Sequence, residues 1–335
     1  MLPPPADSAV AAGRRPRPLF VRLAAVAATL ALIAAACGSD DDATDTTGAD
    51  DGSASLQNDG SGTTETDDDT TVTASSGASC AEVAASFVAG PSANPDLPDP
   101  ESSAVCEGGS VIVTANGIPD YTYIETSPGP PDAQDYTFTI PADPAAAAAT
   151  TSVPLVGPLG VTLAGVPIYG PTEGTGGDVE SIEGILMACG SHNGPTGFHL
   201  HLLGTSDTTD CDFSPEEVAS GPQLLGYAFD GFPIYTGNDQ YESSWELTDA
   251  SLFATDTWSA HTHVDGSGDL DECNGRIDED GNYAYYTTDA FPYVLGCFVG
   301  EVDLTDAGGG GGTGPGGEGQ GPPPDGDGQG PGGDG

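Results

Sequence analysis

Five histidines occur in the chain, and four of them form two His-x-His pairs: His199 with His201, and His261 with His263. Alternate side chains of a β-strand share a face, so each pair presents two imidazoles to one side, a spacing that suits one metal ion. His192, directly after Cys189-Gly190-Ser191, offers a third nitrogen. Three neutral imidazoles plus a water suit Zn or Cu, with Asp230, Tyr169 and Tyr235 as outer partners. His261 and His263 fall in a connection whose position the sequence does not give, which sets them behind the first three as ligands. The competing reading makes His199 and His201 hydrogen-bonded residues of a β core, packed against Tyr169 and Tyr235.

Other chemistry finds less support. Asp278, Asp280 and Asn282 alternate oxygen ligands around Gly281, a weak Ca signal without the spacing or terminal Glu of an EF-hand. A tight turn into a strand at Tyr283 explains the same residues. There is no Gly-x-Ser-x-Gly elbow, and Ser191 beside His192 is adjacency in sequence, which does not make a triad. A hydrolase would need a nucleophile within reach of His192. Arg276 is expected to pair with a nearby carboxylate.

The elements that must position these residues are short. Val111–Val113, Tyr136–Ile140, Gly160–Leu163, Phe198–Leu203, Tyr283–Thr287 and Tyr293–Phe298 are apolar runs bounded by Gly, Pro, Asn and Asp, and none holds a 3.6-residue period. Helices are expected only at Pro215–Ser220 and Tyr241–Leu252. The predicted class is mainly β, with long loops, few short helices and an internally duplicated unit. The duplication is visible in Gly165-Val166-Pro167-Ile168-Tyr169, which returns as Gly231-Phe232-Pro233-Ile234-Tyr235. Downstream, Cys189-Gly190-Ser191-His192 matches Cys273-Asn274-Gly275-Arg276, and Phe198-His199-Leu200-His201 matches Tyr283-Ala284-Tyr285-Tyr286. Two units follow, about 160–211 and 226–300. They differ where chemistry would sit: His192, His199 and His201 correspond to Arg276, Ala284 and Tyr286.

These segments resemble the YHYH family, named for a Tyr-His-Tyr-His tetrapeptide. Asn116-Gly117-Ile118-Pro119-Asp120 is similar to its opening motif, and Gly226-Tyr227-Ala228-Phe229-Asp230-Gly231-Phe232-Pro233-Ile234-Tyr235 to its most recognisable block. Leu270–Gly275 and Phe291–Cys297 complete a resemblance that runs from about Asn116 to Gly300. The resemblance implies a fold and leaves the activity open. Phe198-His199-Leu200-His201 keeps both imidazoles of the tetrapeptide and lacks its phenols, whereas Tyr283-Ala284-Tyr285-Tyr286 keeps aromatics and lacks imidazoles.

Composition bounds the rest. Fifty-two acidic residues face five arginines and no lysine, for a net charge of −47. Four arginines (Arg14, Arg15, Arg17 and Arg22) precede an apolar run, so Arg276 is the one basic residue after it. Nucleic acid is excluded, because it needs clustered cations, and phosphate-clamp chemistry is disfavoured, because it needs a lysine near the transferred group. Residues 1–36 read as a signal peptide whose apolar stretch is too short to span a membrane, with Sec and twin-arginine export both open. Leu32-Ile33-Ala34-Ala35-Ala36-Cys37 resembles a lipobox, which makes Cys37 a lipidation site and the membrane a partner. Without lipidation the protein would be secreted.

Residues 37–79 read as an acidic disordered tether, 80–302 as the β-rich domain and 303–335 as a Gly/Pro/Asp-rich disordered tail. Six further cysteines suit an extracytoplasmic protein. Similar short separations with long gaps between suggest the disulfides Cys80–Cys106, Cys189–Cys211 and Cys273–Cys297. The expectation is a membrane-anchored extracytoplasmic module that binds one transition metal. A disulfide-stabilised surface interaction module without metal, with a protein or small-molecule partner, is the alternative, and a non-catalytic role is favoured over an enzyme.

Overall fold

The computed structural model describes residues 77–126 and 129–304. The signal peptide, Cys37, nearly all of the tether and all but the start of the tail lie outside the described residues. The fold is mainly β. An eight-stranded sheet forms its centre, with a three-stranded sheet (Ser102–Glu107, Ser110–Ala115, Tyr136–Pro141) and three two-stranded ribbons around it. In the three-stranded sheet Tyr136, Phe138 and Ile140 are buried while Thr137 and Thr139 face solvent, the alternation of a half-covered sheet. Phe138 stacks on Phe229 with ring centroids 5.5 Å apart, joining this sheet to the core of the duplicated part.

The central sheet contains the duplication as a repeated topology. In the first copy, Pro158–Thr162, Pro167–Tyr169, Gly197–Leu200 and Ser191–Gly194 lie side by side in that order. In the second, Leu224–Ala228, Pro233–Tyr235, Tyr283–Tyr286 and Gly275–Ile277 do the same. Each copy runs antiparallel, parallel, antiparallel: Leu200 pairs with Ile168 across the parallel contact of the first copy, and Tyr285 with Ile234 in the second. The copies meet through the antiparallel pairing of Leu224–Ala228 with Pro158–Thr162. Most strands of this sheet are buried on both faces, which is why they read as apolar runs without clean alternation.

Disulfides join Cys80 to Cys106, Cys189 to Cys211 and Cys273 to Cys297, with Cα separations of 6.0, 5.3 and 4.4 Å. Three such bonds point to an oxidising, extracytoplasmic compartment. The second bond closes the loop that carries all three candidate histidines, and the third closes the matching loop of the second copy. No helix among the described residues is long and apolar enough to cross a membrane.

Helix Pro215–Ala219 forms where Ser214 and Glu217 build a capping box and proline occupies the first turn. The expected helix at Tyr241–Leu252 is absent. Trp245–Leu247 is instead a strand paired with His261–His263, so tertiary pairing overrides local helix propensity. The expected strand at Tyr293–Phe298 is reduced to Cys297–Gly300, because Tyr293 takes a left-handed φ of 65° and turns the chain before it.

Candidate metal centre

His192 and His199 sit opposite each other on the hairpin Ser191–Gly194/Gly197–Leu200, as cross-strand partners. Residues directly opposite on an antiparallel pair share a face, and so do residues two apart, so His192, His199 and His201 project to the same side. The hairpin depends on its glycines. Gly197 adopts φ 110°, and a Cβ on Gly194 would lie 2.7 Å from the His199 ring. His201 follows the strand and is fixed by its backbone N–H, which donates to Gly190 O at 3.0 Å.

The three Nε2 atoms converge. His199 Nε2 lies 3.0 Å from His201 Nε2, and His192 Nε2 lies 3.3 Å from it. A fourth donor joins them: Glu173 Oε2 is 3.2 Å from His201 Nε2 and 3.5 Å from His192 Nε2. All four donor atoms lie within 4.8 Å of one another, a group that could hold a metal ion. Around a tetrahedral ion with bonds of ~2.0–2.1 Å, neighbouring donors are about 3.3 Å apart, and these four separations of 3.0 to 3.5 Å match that spacing.

Hydrogen bonding sets the tautomers. His199 Nδ1–H donates to Gly197 O at 2.9 Å, and His201 Nδ1–H donates to Gly170 O at 2.6 Å. A carbonyl can only accept, so each Nδ1 carries a proton, and in a neutral ring the Nε2 lone pair then faces the group. Two lone pairs 3.0 Å apart repel; a cation shared between them turns the repulsion into attraction. Burial, then the neighbouring His201 and His192, pushes the His199 pKa well below its ordinary value, which keeps that ring neutral. The ring nitrogens of His192 and then His201 beside it hold the Glu173 carboxyl far below the usual carboxylate range, so the fourth donor is anionic. The carbonyl partners of His199 and His201 are the orienting contacts that metal-bound imidazoles need. His192 Nδ1 is buried without a partner.

Glu173 is the member of this group that sequence reasoning missed. It sits on the ribbon Thr172–Glu173/Gly177–Asp178, anchored by Asp178, whose fully buried carboxylate accepts from Thr257 Oγ1 at 2.7 Å and Tyr293 OH at 2.9 Å. Its side chain is 23% exposed, whereas those of His192 and His201 are at most 2% exposed, so Glu173 forms the mouth of the group. The available signal was its place four residues after Tyr169, on the chain leaving the first repeat motif.

Tyr169 lies at the site, its ring stacked on His199 with centroids 4.0 Å apart. The other outer residues do not. Asp230 instead accepts from Tyr285 OH at 2.5 Å and from the Gly300 N–H at 2.9 Å, since a buried carboxylate needs such donors. Tyr235 stacks on Tyr286 in the second copy. His261 and His263 also sit apart from the group: His261 stacks on Phe291 at 4.0 Å, and His263 Nδ1 faces Asp265 at 3.4 Å. At the Ca candidate, Asp278 Oδ1 accepts from the N–H groups of Asp280 and Asn282, and Asn282 Nδ2 donates to Asp278 Oδ2. That carboxylate closes the turn before Tyr283. Arg276 makes no ion pair among the described residues and lies over the Tyr241 ring, 4.7 Å from its centroid.

The family model described as "YHYH protein" matches residues 137–300. This region belongs to the YHYH family. The match contains both copies, the metal-centre candidates and two of the three disulfides, and it begins after the Asn116–Asp120 segment. No curated protein and no solved structure matches the chain. Within this YHYH domain the strand Gly197–Leu200 and the residue after it bring two imidazoles to a third and to a carboxylate.

Proposed function

We propose that the YHYH domain holds one transition-metal ion through Nε2 of His192, His199 and His201 and the carboxylate of Glu173. The approach of His199 Nε2 to His201 Nε2 at 3.0 Å, with both Nδ1 atoms turned to carbonyls, carries this reading. Three imidazoles and one carboxylate suit Zn or Cu. Four protein donors make a closed set, the arrangement of sites that hold a metal rather than present it to a substrate. The proposal includes lipidation at Cys37, with the acidic segment that follows it tethering the domain outside the membrane.

Metal content of the purified protein, measured by mass spectrometry beside a His199→Ala/His201→Ala variant, tests the site. One metal per chain in the parent and almost none in the variant is the expected result. Equal, near-zero content in both would overturn the proposal.

A further inference from the structure

The second copy has a cleft of about 160 Å³ at the place that corresponds to the metal candidate. The pairing of Ile234 with Tyr285 puts Ala284 where the first copy has His199, since Leu200 pairs with Ile168 in the same way. A methyl group in place of an imidazole opens the space. Tyr235 and Tyr286 line it with rings whose centroids are 5.9 Å apart at 26°, and Pro233, Ala284, Asp278 and Asn282 complete much of the wall.

The chemistry of this wall is specific. Burial raises both phenol pKa values above the ordinary ~10, so both rings are neutral, and neither hydroxyl bonds to another described residue. Asp278 is held ionised by the backbone N–H of Asn282. Arg276, the one basic side chain among the described residues, lies over Tyr241 and does not neutralise Asp278. The cluster thus already accommodates one cation on a tyrosine face. Aromatic rings beside a carboxylate that has no cationic partner among the described residues attract organic cations, and the strongly acidic chain draws cations towards it.

We propose that the second copy is a binding site for a small organic cation, an alkylated or quaternary ammonium group seated in the cleft against Tyr235 and Tyr286 with Asp278 as counter-charge. The duplicated unit then carries two cation sites of different kinds: nitrogen lone pairs for a metal in one copy, ring faces for an ammonium group in the other. This reading does not depend on metal in the first copy.

Calorimetric titration with choline, and with its uncharged isostere 3,3-dimethylbutan-1-ol, tests it on the full chain. Choline is expected to bind once per chain, and the isostere at least about tenfold more weakly. Ala284→Leu, which fills the cleft, should abolish binding, and Asp278→Asn should weaken it at least about threefold. Tyr235→Phe retains the ring and should retain binding. His199→Ala/His201→Ala should leave choline affinity unchanged, which separates failure here from failure of the metal proposal. No binding of millimolar choline, equal binding of the isostere, or unchanged binding by Ala284→Leu would each overturn the inference.

Discussion

The two copies of the duplicated unit share strand order, parallel contact and a disulfide in the same place, yet present different chemistry at matching positions. Where the first copy has His192, His199 and His201, the second has Arg276, Ala284 and Tyr286. The first gathers three ring nitrogens and a carboxylate; the second gathers the rings of Tyr235, Tyr241 and Tyr286, with a guanidinium over Tyr241. The second copy shows that this fold forms without a metal-ligand set, so the histidines of the first are not demanded by packing. The scaffold lies in the strands and disulfides, and the chemistry lies in a few side chains that can be exchanged on it.

The disulfides offer the largest effect with which to break this comparison. Each closes a loop of 22 or 24 residues, and losing either should cost about 3 kcal/mol in denaturant unfolding. Cys189→Ala/Cys211→Ala should also lower metal affinity, because that loop holds all three histidines. Cys273→Ala/Cys297→Ala should leave metal affinity as it was. If both variants lose metal equally, the copies are not chemically distinct.

Glu173 and its counterpart by offset in the repeat, Asp239, sharpen the comparison next. Glu173→Gln should weaken metal binding at least about tenfold, the lower end of what even an outer partner of a metal centre is worth. Asp239→Asn should have no effect. Competition with a chelator of known affinity reads both, and equal responses would remove Glu173 from the ligand set.

Acid gives the smallest effect. The folded-state pKa of His199 lies below its unfolded value of about 6.5, so below that pH the unfolded chain takes up a proton that the folded chain refuses. Stability of the metal-free protein should be full at pH 7.5 and fall as pH drops below about 6.5, and a His199→Phe variant should lose part of that dependence. Thermal melting at pH 7.5 and 5.5 measures it.

The duplication was legible in the sequence because both copies keep Pro-Ile-Tyr and a cysteine three residues before His192 or Arg276. His-x-His spacing also gave the shared face of His199 and His201. Glu173 was not legible, since its strand is only two residues long and the fold of a separate ribbon brings it to the histidines. Asp230 looked like a partner from its place in the repeat block, but Tyr285, 55 residues away, claims its carboxylate. Trp245–Leu247 was misjudged for a related reason: its partner strand lies beyond a turn and the short helix Thr257–Ala260, where no local pattern reaches.

X-ray absorption at the metal edge of the purified protein is the most direct test of the central claim. The account predicts three histidine nitrogens at about 2.0–2.1 Å, one carboxylate oxygen at a similar distance and no sulfur. A shell of oxygens alone, or one containing sulfur, would contradict it.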